Sequence, residues 1–423
     1  MENEKLPIKF FAPREVDELR IEGNKNSEKP KWVLRGKELK QRADSLRLSL
    51  DSLETKFSMR KSSPVPFSFI VKLQSDATAK SKREDITNLF EQKSFGGVVG
   101  LTDTNKLIVA LDSLEELKEV ANRINDYEIN DYAISCIEDF EEFVPYIVKG
   151  KKECNYKIKL VDYQNYEQNL AMRRRLEHTL NKEGIDYTKT DYSEEYYIYK
   201  LRNITEKSLD VLKKADIFNA LFSIEPMPKY KVSLDCLKSD NNIPIKKPDD
   251  EKMYITIGIL DNGIANIPHL SPWMEMDRWS PYPKTSINPT HGTFVSGIAL
   301  YGDECEGKIW VDHKGLKIFD AAVFPDVTKE GLDEDELIAN IKDVIRLYHE
   351  KVKIWNLSIS ITREVIDTKF SDFAIALDSI QDEYNVLICK SAGNCENFTV
   401  SRPKGRIHEG ADSVRSLVVR SVA

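Results

Sequence analysis

The sequence predicts an α/β domain built on a parallel sheet from residue 254 onward, preceded by two α+β units and an N-terminal helix. Three observations carry this. Beyond residue 253, short apolar runs of strand length alternate with longer helical periods. Between residues 63 and 236 the order β-α-β-β-α-β occurs twice. Between residues 39 and 57, apolar residues recur at alternating steps of four and three.

A chain of 423 residues exceeds one ordinary core, at about 150 residues per domain. Its 41% apolar content is that of a globular protein. A net charge of −8 gives no reason to expect a nucleic-acid or membrane partner. The opening MENEKLPIKFFAPREVDELR has no apolar stretch followed by a small-residue cleavage site, and no run approaches the ~18 apolar residues of a membrane span. The expectation is a cytoplasmic protein. The six cysteines are scattered, with no CxxC pair, so reduced thiols are expected and no zinc site or disulfide framework.

Residues 1–62 hold an irregular stretch and a helix from about 35 to 57, with Leu39, Ala43, Leu46, Leu50, Leu53 and Phe57 on one seam. That seam packs on its own protein or offers a docking helix to a protein partner. Residues 63–148 read FSFIVKL (strand), SKREDITNLFEQ (helix), VVGLTD and KLIVAL (strands), SLEELKEVANRIN (helix, capped by Ser113 with Glu116 three residues on) and AISCIEDFEEF (strand). Residues 149–236 repeat the order with YKIKLVD, EQNLAMRRRLEHTLNKEG, IDYTKTD, EYYIYKL, TEKSLDVLKKA and NALFSIEPM. Both units are expected to be ferredoxin-like. Residues 237–253 form a polar linker with two prolines.

Residues 254–423 carry the segments with chemistry. In Ile259-Leu260-Asp261-Asn262-Gly263 an apolar strand ends in an acid, which puts Asp261 at the carboxyl edge of a parallel sheet. His291-Gly292-Thr293-Phe294-Val295-Ser296-Gly297 places an imidazole at a helix start, with small residues that let the helix approach the sheet. Ser391-Ala392-Gly393-Asn394 follows the strand NVLICK, where an amide can donate to developing negative charge. These segments, with NLSIS at 356–360, resemble in content and order the subtilisin-like (S8, subtilase) serine peptidases.

The resemblance implies that His291 is the general base, Asp261 its orienting acid and Asn394 an oxyanion donor. It implies that Leu357, Ser358, Ile359 and Ser360 pair with an extended polypeptide substrate. The family's nucleophile segment, G-T-S-x-A-x-P, does not occur. The expectation is a serine endopeptidase domain lacking its C-terminal part. The alternatives are a nucleophile on a separate chain, or an inactive pseudoprotease that binds or regulates. In each case the chain alone is expected to be inactive and to expose apolar strand surface. The unit before the linker is expected to be propeptide-like. No cofactor is expected. The acids of DVTKEGLDEDE (326–336) could take Ca²⁺ but are expected to form a solvated helix N-terminus.

Overall fold

The structure is a computed structural model that describes residues 32–60, 63–74, 83–92, 96–103, 105–150, 154–202, 204–230, 243–305, 307, 315–326, 331–359, 363–366, 369–393 and 407–419. Helix α1 (Gly36–Met59) leads into a first unit of β1 (Phe67–Leu73), α2 (Arg83–Phe90), β2 (Gly96–Asp103), β3 (Lys106–Leu111), α3 (Leu114–Asn125), α4 (Asp131–Cys136) and β4 (Ile137–Glu142). Its antiparallel sheet has the order β2-β3-β1-β4. Ser113 caps α3 by accepting from the Glu116 N–H at 3.2 Å, and the Glu116 carboxylate accepts from the Asp112 N–H at 2.7 Å.

One expectation changes here, and one pair of alternatives is decided. The stretch AISC is helical (α4) rather than the start of a strand; short apolar runs do not separate the two periods, and a helical turn buries Ala133, Ile134 and Cys136 together. The α1 seam is not left for a partner. Leu39, Ala43, Leu46, Leu50 and Leu53 are buried with Phe67, Leu117 and Val120 in the unit's own core.

The second unit comprises β5 (Tyr146–Ile147), β6 (Tyr156–Leu160), α5 (Tyr166–Lys182), β7 (Tyr187–Ser193), β8 (Tyr196–Leu201), α6 (Glu206–Lys214), β9 (Leu221–Pro226) and β10 (Lys229–Tyr230). Its sheet order is β5-β9-β6-β8-β7. The third part comprises β11 (Thr256–Asp261), α7 (Thr290–Cys305), β12 (Lys317–Ala322), β13 (Leu332–Asp333), α8 (Glu334–Tyr348), β14 (Ile354–Leu357), α9 (Asp372–Tyr384), β15 (Leu387–Ser391) and β16 (Leu417–Val419). Strands β12-β11-β14-β15-β16 form one parallel sheet. One face, with Leu260, Phe319, Trp355 and Ile388, packs under α8 and α9. The other, with Ile259 and Ile318, meets Leu300 and Tyr301 of α7.

The strand YKIKL alternates as if one face met water. Instead that face is buried against the third part. Lys157 reaches Glu334 at 2.6 Å and also pairs with Asp372, and Lys159 reaches Glu225 and Asp372, each at 3.3 Å. Lys200 lies 2.7 Å from Glu336, 3.0 Å from Asp335 and 3.4 Å from Asp333. Tyr196 donates to Asp372 at 2.6 Å and Tyr192 to Glu334 at 3.1 Å. Apart from the exposed Glu336, the acids that open α8 are therefore not solvated. Asp333, Glu334 and Asp335 are buried because the ammonium groups of the second unit neutralise them, and Lys200 fills the place among Asp333, Asp335 and Glu336 where a cation would sit. Main-chain pairing joins the same parts: β10 runs antiparallel to β13, Lys229 opposite Asp333 and Tyr230 opposite Leu332.

Burial alone would push the Lys157 ammonium down, but Asp372 and Glu334 beside it outweigh burial and hold it protonated. Replacing Lys157 with Met leaves two buried carboxylates short of a partner. It is expected to lower unfolding stability by about 3–5 kcal/mol, read by urea denaturation of the full chain.

Candidate active site

Three neighbouring parallel strands end along one edge of the sheet, at Asp261 of β11, Leu357 of β14 and Ser391 of β15. Open parallel sheets gather functional groups at this edge. Asp261 is fully buried, with its Oδ1 accepting from the Asn262 N–H at 2.8 Å. His291, the second residue of α7, brings its Nδ1 to 2.8 and 2.9 Å from the two Asp261 oxygens. Among the described residues nothing hydrogen-bonds the His291 Nε2, so that nitrogen is open to exchange a proton with a bound group.

The approach of α7 to the sheet fixes this pair. The Asn262 side-chain oxygen accepts from the Gly292 N–H at 3.0 Å, and Thr293 Oγ1 accepts from the Ala265 N–H at 2.7 Å. A Cβ on Gly292 would lie 2.3 Å from the Gly263 carbonyl oxygen, so only glycine admits this contact. Ser296 donates back to the Gly292 carbonyl at 2.6 Å.

Asp320 on β12 supports the turn after Asp261. It accepts from the Ile264 N–H at 3.0 Å and from Arg278 Nε at 2.6 Å, and Arg278 also donates to the Ile264 carbonyl. Burial pushes the Asp320 carboxyl up, against the opposing pull of Arg278. Sequence reasoning missed this residue, although a lone acid in the apolar run KIFDAAVF was a visible signal.

The other expected site residues divide. Leu357 and Ile359 are buried in the core beneath the sheet edge, and Ser358 shares hydrogen bonds with the Asn356 side chain. Ala392 and Gly393 extend β15, and the φ of +102° at Gly393 lets the chain turn with His408 packed where a Cβ would fall, 2.4 Å from Nδ1. Ser360 and Asn394 lie outside the described residues.

Residues 253–422 match the model of the subtilase family, peptidase S8. This part of the chain belongs to the subtilase family. A similar solved structure is that of fervidolysin from Fervidobacterium pennivorans, a keratinolytic enzyme related to subtilisin. The two are 16% identical with a TM-score of 0.36, over 60% of this chain and 42% of fervidolysin. The chain thus spans less than half the length of that relative. No curated protein matches the sequence. No helix among the described residues is long and apolar enough to cross a membrane.

Two glycines on α7 of the subtilase domain give opposite expectations. Gly292→Ala drives a Cβ into the Gly263 backbone and is expected to destabilise the domain by about 1–3 kcal/mol. Gly297 faces open space, so Gly297→Ala is expected to stabilise by about 0.5–1 kcal/mol. Thermal unfolding of both variants checks this; equal shifts would contradict the close helix–sheet contact.

Proposed function

We propose that the subtilase domain is built for peptide-bond hydrolysis, with Asp261 and His291 as its acid–base pair. The observation that carries this is the Nδ1 contact of His291 with the buried Asp261, at 2.8 and 2.9 Å, which leaves Nε2 free to act. A serine hydroxyl presented to Nε2 gives up its proton as its oxygen attacks the peptide carbonyl. The carbonyl oxygen takes the negative charge, with the Asn394 amide as donor. His291 then returns the proton to the leaving amine, and Asp261 holds the imidazole tautomer throughout. Leu357, Ser358, Ile359 and Ser360 are proposed to pair with the extended substrate.

The sequence contains no G-T-S-x-A-x-P segment, and no serine is assigned as nucleophile. These 423 residues by themselves are therefore proposed not to turn over peptides. Exposed apolar groups beside the site, Ile298 on α7 and Leu417 and Val419 on β16, support a further segment that covers them and carries the hydroxyl. A chain extended by such a segment tests the reading. Asp261→Asn is expected to lower its kcat about 10⁴-fold against a chromogenic peptide. An unchanged kcat would remove the pair from catalysis.

Both N-terminal units are proposed to be ferredoxin-like, and the second to act as a propeptide-like cover. Their sheets share one order: the fourth strand of each β-α-β-β-α-β set beside the first, then the third, then the second. The cover reading is further supported by the charge-paired junction and by β10, which adds a strand to β13 at the entry to α8.

The junction gives a pH expectation. Burial would raise the Glu225 and Asp372 carboxyls, but Lys159 and Lys157 hold both down, Glu225 to about 2. A carboxyl depressed on folding stabilises above its unfolded pKa and loses that contribution as pH falls through its folded one. The junction should therefore weaken from about pH 4.5 down through about 2. Glu409, which burial raises to about 7, is already protonated in the folded chain across that window. Protection factors at β6 and β8, corrected for the intrinsic exchange rate at each pH, are expected to fall over this range; equal protection at pH 5 and pH 2 would contradict it.

A further inference from the structure

Lys390 differs from the other buried lysines. Lys157, Lys159 and Lys200 each meet carboxylates, whereas the Lys390 Nζ meets uncharged oxygens: the Ile359 carbonyl at 2.5 Å, the Ser391 carbonyl at 2.8 Å and Ser391 Oγ at 3.3 Å. Lys390 is fully buried on β15. An ammonium has three N–H donors, so these three acceptors satisfy it completely. A buried cation without a carboxylate is costly, and its place in the fold should have a reason.

The acceptors supply that reason. Ile359 belongs to the segment that follows β14, and Ser391 ends β15 where the chain turns through Ala392 and Gly393 toward Asn394. Parallel pairing holds β14 and β15 together only as far as Leu357 and Lys390. Beyond that point the strand pairing ends, and two side chains span the segments: Lys390, and Ser391, whose Oγ donates to the Ile359 carbonyl at the longer distance of 3.4 Å.

We propose that Lys390 is a positioning residue of the peptide groove, its ammonium cross-linking the Ile359 carbonyl to Ser391 and so setting the distance between the substrate-pairing segment and the turn that leads to Asn394. This rests on the peptidase reading given above.

Protonation is the handle for a test. Burial brings Lys390 down to about 7, with Asp412 the charge that pulls it back up. Asp412 itself accepts from Ser371 and from the Gly410 N–H. The other titratable groups on the surrounding elements are Cys389 on the same strand, His408 and Glu409 on the 407–413 segment and Asp372 at the start of α9. Glu409 also titrates near 7, beside Arg363, so it needs its own control. Loss of the proton leaves Lys390 two donors for three acceptors, so the cross-link weakens as pH rises through about 7.

Global stability should move the other way. Between about pH 7 and 10.5 the unfolded chain keeps a proton that the folded chain has lost, so the Lys390 contribution to stability rises with pH. A merely structural lysine would not loosen the groove while the fold gains stability.

The experiment is hydrogen exchange on the full chain, expressed as protection factors from pH 5.5 to 8.5. In the native chain, protection at 357–359 and 391–393 is expected to fall about 2- to 10-fold through a midpoint near 7, the worth of one hydrogen bond. Lys390→Met should show the lower protection at every pH, and Glu409→Gln should keep the native midpoint. Should Lys390→Met fail to fold, ¹³Cε-lysine NMR of the native chain reads the Lys390 midpoint directly, and it must coincide with the exchange midpoint. Protection independent of pH, or a midpoint that disappears in Glu409→Gln, would overturn the proposal. Failure of the peptidase reading would instead appear in the kcat of Asp261→Asn.

Discussion

Three ammonium groups that one sheet presents to the first turns of two helices set the arrangement of this molecule. Lys157, Lys159 and Lys200 are buried, as are Glu334 and Asp335 opposite them, and Asp372 is half-buried. Charges cannot be taken from water singly; they go in as pairs, with tyrosine hydroxyls taking up remaining lone pairs. The acids also sit at helix N-termini, where backbone N–H groups already favour negative charge. The second unit is thus matched in charge, not only in shape, to α8 and α9.

Those helices are the same ones that cover one face of the parallel sheet, so the junction and the site share a support. The edge that carries Asp261 rests on strands buried between α8 and α9 on one side and α7 on the other. On the α7 side the contact is made without bulk. Gly292 brings the helix backbone against Gly263, and Asn262 and Thr293 lock the two segments by hydrogen bonds. The Asp261–His291 geometry follows from that backbone approach.

Much of this was legible in sequence. Runs such as ITIGIL, KIFDAAVF and NVLICK are mainly apolar and of strand length, and they appear as β11, β12 and β15. The acid and the imidazole could be singled out because ILDNG and HGTFVSG resemble subtilase segments in content and order. The α4 segment was less legible, since its short apolar run fits either period. The α1 seam told that the helix must bury one side, but not against what. The alternation of YKIKL reports two different faces, and a polar face can be covered by opposite charge as well as by water.

Residue order alone therefore determined most of the element sequence, the parallel-sheet character of the last part and the two residues, Asp261 and His291, that the fold brings into contact. Each of these depends on local period or on a short motif. Tertiary structure decided which polar groups lose their water: Lys157 and Lys200 against the α8 acids, Asp320 beneath the turn after Asp261, and Lys390 between two diverging chains. Burial of a charge is set by partners more than a hundred residues away for the first two and about thirty for Lys390. For Lys157 and Lys200 no short window of sequence contains both the charge and the group that makes its burial tolerable.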